Sequence, residues 1–184
     1  MCVDTAESVK GPTELAARAV YRLARALFAR DFGIGTSSRP VGPITVHVAA
    51  PREIVFDVIA GPYLGRTPRA LASKLKVLER DDQTVLAEHY TQTGRILATT
   101  LETVRFDRPD RVEFRLLRGP VPHLAERFEL REVEGGTELD YSGELRADLW
   151  ALGRWWGRVV GDRWEAAVRD SLDAIRNEAE RRAR

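Results

Sequence analysis

Residues 149–182 read LWALGRWWGRVVGDRWEAAVRDSLDAIRNEAERR and contain no proline. Their apolar side chains recur at the three- and four-residue spacing of one helix face: Leu149, Leu152, Trp156, Val160, Trp164, Val168, Leu172 and Ile175. Asp148 is a candidate N-cap, and the charged last turns are expected to extend into solvent. A continuous helix of this length measures about 50 Å. A small domain buries such a stripe by wrapping a sheet around one side of it.

The preceding residues supply the strands for that sheet. Runs of alternating apolar and polar residues predict seven strands, at about 44–48, 74–80, 84–93, 95–106, 111–118, 122–133 and 137–147. From residue 74 onward the turns between them are short, which makes consecutive strands antiparallel. The alternation is clearest in the last three strands, where these residues share one face: Val112, Phe114, Leu116, Leu124, Phe128, Leu130, Leu139, Tyr141 and Leu145. We expect this face to pack on the long helix and the charged face to meet solvent.

Two short helical segments are predicted between the first two strands. Pro51 suits the first position of a helix that Gly61 and Pro62 end, and a second helical turn is predicted at about 66–73.

The chain before the first strand divides into a helix over 13–30 and a linker over 31–43 rich in Gly, Ser and Pro, after a frayed start. The expected domains are an N-terminal extension, 1–41, and a main domain, 42–184. The helix carries arginines on its polar face and can lie on a membrane or a partner. We favour packing on the domain, because its apolar face is rich in alanine and lacks tryptophan.

Composition excludes several classes of protein. The chain has 29 basic and 28 acidic residues, so its net charge of +1 gives no general attraction to nucleic acid or anionic membranes. Cys2 is the only cysteine, which excludes an intrachain disulfide and a thiolate metal cluster. No apolar run reaches bilayer length and no signal peptide is recognisable, so we expect a cytoplasmic protein, as a monomer or homodimer.

The sequence contains no recognised motif for a metal, a phosphate or a catalytic triad. His47, His89 and His123 lack metal-binding spacing, and no GxSxG or phosphate-binding glycine loop occurs. We therefore expect no metal and no cofactor. Strand parity places His47 in solvent, and His123 falls near a strand start.

The order of these elements resembles the helix-grip fold of the START/Bet v 1-like superfamily, especially its polyketide cyclase/dehydrase and coenzyme Q-binding branch. The resemblance covers about 42–182 and rests on residues 44–51 running into 54–59, then on Val104-Arg105-Phe106-Asp107-Arg108-Pro109, Gly119-Pro120, Arg127-Phe128-Glu129-Leu130 and Gly135-Gly136-Thr137. It implies an α+β fold in which a seven-stranded antiparallel sheet wraps around the C-terminal helix, with an elongated apolar cavity between them. Members of the superfamily bind lipids, quinones or polyketides, and some catalyse cyclisation or dehydration.

Strand parity also places polar residues on the inner face. Glu126 shares the parity of Leu124 and Phe128, and Glu102 that of Val104, so both are candidates for a general acid or base. The alternative is that either glutamate lies at the rim or pairs with Arg163.

On the third strand, either His89 or Tyr90 can face a ligand, but not both. His89 is therefore a third candidate for acid–base catalysis, with a surface or satisfied core position as the alternative. Gly153, Gly157 and Gly161 make a stripe along the long helix, which predicts either room for a ligand or close approach of the short helices.

Three hypotheses follow. The first is a carrier-like protein that binds a hydrophobic small molecule, oriented by Tyr141 and Glu126, in a cavity lined by Val104, Phe114, Leu116, Phe128, Tyr141, Trp156, Val160 and Trp164. The second is a cyclase or dehydratase acting on a polyketide-like substrate through Glu126, Glu102 or His89. The third is an interaction module that uses the N-terminal helix.

Overall fold

The computed structural model of the chain describes residues 19, 23–65, 73–93 and 96–184. Its elements are α1 (23–28), β1 (Ser37–Val48), α2 (Arg52–Ala60), β2 (Leu75–Arg80), β3 (Thr84–Thr93), β4 (Ile96–Asp107), β5 (Arg111–Arg118), β6 (His123–Val133), β7 (Gly136–Ala147) and α3 (Trp150–Ala183). The predicted start at 1–12 and the helical turn predicted at 66–73, apart from Ser73, lie outside the described residues. Of the helix predicted over 13–30, residues 19 and 23–28 are described as helical.

All seven strands form one antiparallel sheet in the order β1-β7-β6-β5-β4-β3-β2, so β1 and β2 are its edges. The inward parity predicted for β5, β6 and β7 is confirmed, because Val112, Leu124 and Leu139 are each at most 1% exposed. The apolar face of α3 joins these side chains in one core. The predicted α+β helix-grip architecture is confirmed. In the described part of the chain, none of the helices combines the length and hydropathy that crossing a bilayer requires.

The buried face of α3 differs from the predicted stripe at both ends. Leu152 is 51% exposed, so its predicted place on the buried face was wrong, whereas Trp156 is buried as predicted and Gly153 is buried beside it. At the other end Ala179 is fully buried and Glu180 accepts a hydrogen bond from the backbone N–H of Ala49 at 3.1 Å. Ala179 and Glu180 therefore contact the domain, whereas Arg181, Arg182 and Arg184 are exposed, as predicted for the charged end of the helix.

Asp148 is not the N-cap of α3. The cap position is Leu149, in the left-handed region at φ 73°, and no side chain bonds to the helix start. The carboxylate of Asp148 instead accepts the N–H of Phe32 at 2.6 Å, the N–H of Gly33 at 2.8 Å and the hydroxyl of Thr36 at 2.8 Å. Burial opposes ionisation of Asp148, but these hydrogen bonds outweigh it and lower its pKa. Asp148 thus ties the segment before β1 to the start of α3.

The linker predicted over 31–43 is partly wrong, because β1 begins at Ser37. The register of β1 on β7 shifts between Val41 and Ile44, and Gly42 has φ +84° there. Glycine and proline are tolerated in an edge strand at such a bulge, which explains why this part of the strand lacks a strand signature. β1 includes residues on both sides of the predicted boundary at residue 42.

The glycine stripe of α3 serves close packing against the sheet. A Cβ at Gly153 would overlap the carbonyl oxygen of Asp148, one at Gly157 would lie 3.3 Å from a side chain at the end of β7, and one at Gly161 would lie 2.8 Å from Arg39 of β1. Neither predicted explanation, room for a ligand or approach of the short helices, accounts for it. Gly157 and Gly161 let the first half of α3 approach β7 and β1, and Gly153 leaves room for the chain that leads into the helix.

Candidate functional site

Two carboxyl groups lie on the inner face of the sheet. Glu102 on β4 is 5% exposed and Glu126 on β6 is 9% exposed, so the predicted inward orientation of both is confirmed. Glu102 pairs with Leu116 of β5, and Glu126 pairs with Phe114 of the same strand. The two carboxyls are therefore two strands apart on one face of the sheet, and the charge of Glu102 affects the ionisation of Glu126.

Glu126 is held by donors from a second strand and from α3. Its Oε1 accepts the hydroxyl of Tyr141 at 2.6 Å and the indole N–H of Trp164 at 2.7 Å. Burial, together with the charge of Glu102, raises the pKa of Glu126 to about 7, while the two hydrogen bonds act in the opposite direction. This carboxyl is thus half ionised near neutral pH.

Glu102 has one hydrogen-bond donor and a histidine beside it. Its Oε1 accepts the hydroxyl of Thr100 at 2.6 Å, and its Oε2 lies 3.3 Å from Nδ1 of His89, which makes no hydrogen bond. Burial raises the pKa of Glu102 to about 7, against the effect of the Thr100 hydrogen bond. Glu102 and Glu126 therefore titrate in the same range, and the pair holds about one proton at neutral pH.

His89 is the residue of its strand that faces the interior, whereas Tyr90 donates its hydroxyl to Glu88 at 2.7 Å. Burial lowers the pKa of His89 to about 4, so at neutral pH the ring is uncharged and is not a counterion for Glu102. Its Nε2 lies 2.8 Å from the hydroxyl of Tyr63. Burial and the two nearby carboxylates raise the pKa of Tyr63, which keeps its proton.

The sequence did not single out Tyr63. It lies in the turn after α2, where neither strand nor helix periodicity applies, and the Gly61-Pro62 pair before it indicates only a helix end.

The carboxyl pair has no basic partner among the described residues. Arg163, the predicted alternative partner, is exposed and donates to the carbonyl of Val159 at 3.2 Å. Within the same residues, no group of three or more His, Cys, Asp or Glu side chains is placed to hold a metal ion. The cluster is therefore an arrangement of proton donors and acceptors around two acids.

A row of aromatic rings runs along the inner face beside the acids. The ring of Tyr63 lies 6.0 Å from that of Phe106 and 5.8 Å from that of Phe114, measured between centroids. Phe114 lies 5.6 Å from Phe128, which lies 5.1 Å from Tyr141. Tyr63 and Phe114 pack against the core but are only partly buried, so this end of the aromatic row is not completely covered.

The residues predicted to line a cavity all belong to the interior, but Trp156 lies apart from those near Glu126. All are buried or partly buried, namely Val104, Phe114, Leu116, Phe128, Tyr141, Trp156, Val160 and Trp164. Tyr141 and Trp164 donate to Glu126, Phe114 lies opposite it on the neighbouring strand, and Phe128 contacts the rings of Phe114 and Tyr141. Trp156 lies two turns before Trp164, about 12 Å along α3. Its indole N–H donates to the carbonyl of Pro120 at 2.8 Å, and its ring stacks on Phe28 at 5.2 Å.

Two open clefts lie outside the space between the inner face and α3. A cleft of about 570 Å³ lies mainly on the outer face of the sheet and is bordered by Thr103, Arg115 and Arg127, with Phe114 and Glu126 at its edge. A second, of about 380 Å³, lies beside the start of α3. His47 is exposed and His123 begins β6, both as predicted, and neither belongs to the cluster.

The fold is shared with solved structures of low sequence identity. Zhui aromatase/cyclase from Streptomyces sp. R1128 is 19% identical, with a TM-score of 0.63 over 81% of this chain and 96% of that one. Norcoclaurine synthase from Thalictrum flavum is 14% identical, with a TM-score of 0.62 over 82% and 92%. The di-domain ARO/CYC BexL from the BE-7585A biosynthetic pathway is 17% identical, with a TM-score of 0.58 over 81% of this chain and 50% of that one.

No curated protein sequence matches the chain. The model of the family described as polyketide cyclase/dehydrase and lipid transport matches residues 44–180, from β1 to the last turns of α3. This match includes both carboxyls, His89 and the aromatic row. The chain belongs to the polyketide cyclase/dehydrase and lipid transport family.

Proposed function

We propose that this protein binds a hydrophobic small molecule between the inner face of the sheet and α3, at the partly open end beside the carboxyl pair. The observation that carries the proposal is the aromatic row, in which Tyr63 and Phe114 face inward yet remain partly exposed. Covering such rings with an apolar ligand contributes about 25 cal/mol for each Å² removed from water. The family's description includes lipid transport, which is consistent with this use of the interior.

Native mass spectrometry of gently purified protein tests the binding proposal. We expect a co-purifying molecule at one copy for each chain, which solvent extraction then identifies. Phe114→Ala should lower its occupancy, because the variant removes a ring from the proposed contact surface. Leu78→Ala, an exposed apolar residue of the edge strand β2, is the matched control and should leave occupancy unchanged. Equal occupancy in Phe114→Ala and wild type would contradict the proposed location.

A second activity is favoured by the ionisation of the acids. Glu102 and Glu126 both have pKa values of about 7, so at neutral pH one carboxyl is protonated and the other ionised. A protonated acid and a carboxylate on one face are the two groups that dehydration of a hydroxy ketone requires. We propose that the pair catalyses such proton transfers on a polyketide-like ligand.

The proposed step keeps the number of protons on the pair constant. The carboxylate removes a proton from the carbon next to the ketone, and the protonated acid gives its proton to the departing hydroxyl. The carbon–oxygen bond breaks, a carbon–carbon double bond forms, and water leaves. The proton has then moved from one carboxyl to the other, and neutral His89, bonded to Tyr63, is placed to hold the ligand's oxygen or a water by hydrogen bonding.

A β-hydroxy ketone that carries an aromatic ring is a suitable probe, because its dehydration gives a conjugated enone with strong ultraviolet absorbance. We expect a bell-shaped pH–rate profile with its maximum near neutral pH. Glu102→Gln and Glu126→Gln should each lower the rate by at least roughly a hundredfold. Glu113→Gln, on the outer face, is the control and should retain the rate. A pH-independent rate, or unchanged rates in both interior variants, would refute catalysis while leaving the binding result standing.

A further inference from the structure

Exposed apolar side chains gather where the start of α3 meets the segment that leads into β1. Together they form a surface that we call the tryptophan patch: Leu27, Phe32, Ile34, Trp150, Leu152 and Trp155. Trp150 is 60% exposed and Trp155 is 49% exposed, although tryptophan is rarely left so open to water. We propose that the tryptophan patch docks the protein on the surface of an anionic lipid bilayer.

Backbone hydrogen bonds hold one half of the patch together. The N–H of Leu149 donates to the carbonyl of Ile34 at 2.8 Å, and the N–H of Trp150 donates to the carbonyl of Gly35 at 3.1 Å. A Cβ at Gly35 would lie 2.5 Å from the ring of Trp150, so this ring covers the glycine. Ile34 and Trp150 are therefore neighbours on the surface although they are far apart in sequence.

Ring contacts hold the other half together. Trp155 lies 6.1 Å from Trp156, and Trp156 stacks on Phe28 of α1 at 5.2 Å with an interplanar angle of 16°. Leu27 and Trp155 are the exposed sequence neighbours of this buried pair. Hence α1 and α3 both contribute exposed apolar side chains beside a buried stack that fixes them to the domain.

Two arginines lie beside Trp150 without an acidic partner in the described part of the chain, and one exposed acid, Asp31, lies beside Phe32. Arg154 follows Trp150 by one helical turn and Arg158 follows by another, and both border the cleft of about 380 Å³ at the start of α3. Among the described residues neither makes an ion pair, whereas Arg127 and Arg131 on the sheet are paired with glutamates. Exposed arginines next to tryptophans offer anionic headgroups a partner while the rings enter the interfacial layer.

A second copy of the chain fits this surface less well than a bilayer does. In a two-fold dimer the patch meets itself, which brings the unpaired arginines of both copies into one interface. Like charges brought together across an interface oppose association. A bilayer containing acidic lipids supplies both the apolar layer and the negative charge that the patch lacks.

Co-sedimentation with vesicles tests the proposal. We expect the full chain to sediment with vesicles of equal parts phosphatidylcholine and phosphatidylserine, and much less with phosphatidylcholine alone. Arg154→Ala/Arg158→Ala should weaken binding to the acidic vesicles roughly thirtyfold, from the contribution of two cations at an anionic surface. Trp150→Ala/Trp155→Ala should remove binding to both.

Two matched controls separate docking from general surface effects. Leu78→Ala removes an exposed apolar side chain from the opposite edge of the sheet, and Arg169→Ala removes an exposed arginine later in α3. Both should bind the acidic vesicles like wild type, and circular dichroism should show that every variant is folded. Absence of sedimentation by wild type, or equal binding by the patch variants, would overturn the proposal. So would a dimer in solution that Trp150→Ala/Trp155→Ala converts to a monomer without any vesicle binding.

Discussion

Replacing Glu102 by glutamine is expected to make the folded protein more stable above neutral pH. Burial raises the pKa of this carboxyl from its ordinary 4.5 to about 7, so the folded state holds a proton that the unfolded state releases. Stability that depends on this proton is complete below pH 4.5 and is lost as the pH rises to about 7. At 1.36 kcal/mol for each pH unit, the interval corresponds to about 3 kcal/mol. Glutamine has no such proton to lose.

The slope of stability against pH in each protein also depends on two further buried groups. Glu126, with its pKa also raised from 4.5 to about 7, destabilises the fold in the same direction as the pH rises. His89 acts oppositely, because burial lowers its pKa from 6.5 to about 4 and stability rises through that interval. Between pH 4.5 and 6.5, each glutamate lowers the free energy of unfolding of wild type as the pH rises, and His89 raises it. The net slope is therefore negative and has the size expected for one group. In Glu102→Gln the two remaining contributions cancel, and in Glu102→Gln/Glu126→Gln the slope becomes positive.

Urea denaturation at a series of pH values measures this change directly. The informative quantity is the free energy of unfolding of the variant minus that of wild type, because groups that the substitution does not affect cancel. Glu126 does not cancel fully, since loss of the Glu102 charge lowers its pKa and acts in the same direction. We expect this difference to increase by about 3 kcal/mol between about pH 4.5 and pH 8 for Glu102→Gln. A difference that stays constant across the range would show that the folded state does not protonate Glu102. The assignment of an acid–base pair would then fail with it.

Three further substitutions test particular contacts. Tyr141→Phe removes a donor from Glu126, which should raise the pKa of that carboxyl further and cost about 1–2 kcal/mol of stability in urea at about pH 8. Gly153→Ala should lower the melting temperature by roughly 6–12 °C because of backbone overlap, whereas Gly157→Ala should change it by at most about 4 °C. Asp148→Ala should cost about 1–3 kcal/mol and speed hydrogen exchange of the two amides bound by its carboxylate.

Strand periodicity accounts for the part of the site that sequence reasoning found. Because side chains alternate with a period of two, the apolar neighbours of Glu102 and Glu126 were enough to place both carboxyls inside. The choice between His89 and Tyr90 remained open, since β3 has polar residues on both faces and parity then gives no direction. In the structure His89 is the residue that faces inward, where it contacts the ring of Tyr63 and the carboxyl of Glu102.

Contacts between distant segments explain what was missed. Asp148 has the residue type and position of an N-cap, but three donors from the segment before β1 compete successfully for its carboxylate. Similarly, α1 by itself contains no tryptophan, and the exposed tryptophans of the proposed docking surface come from α3. No local pattern contains such pairings, since they depend on which ends of the sheet and helix the fold brings together.

The pairing of β1 with β7 also governs the order in which this chain can fold. Ser37 lies opposite Ala147, so β1 cannot pair until β7, more than a hundred residues later in the chain, is present. The strands β2 to β7 pair with sequence neighbours and can assemble as successive hairpins, whereas the β1–β7 ladder requires a long loop to close. During synthesis on the ribosome, β1 therefore emerges with both edges unpaired, and one of them stays open to other chains until β7 has been made.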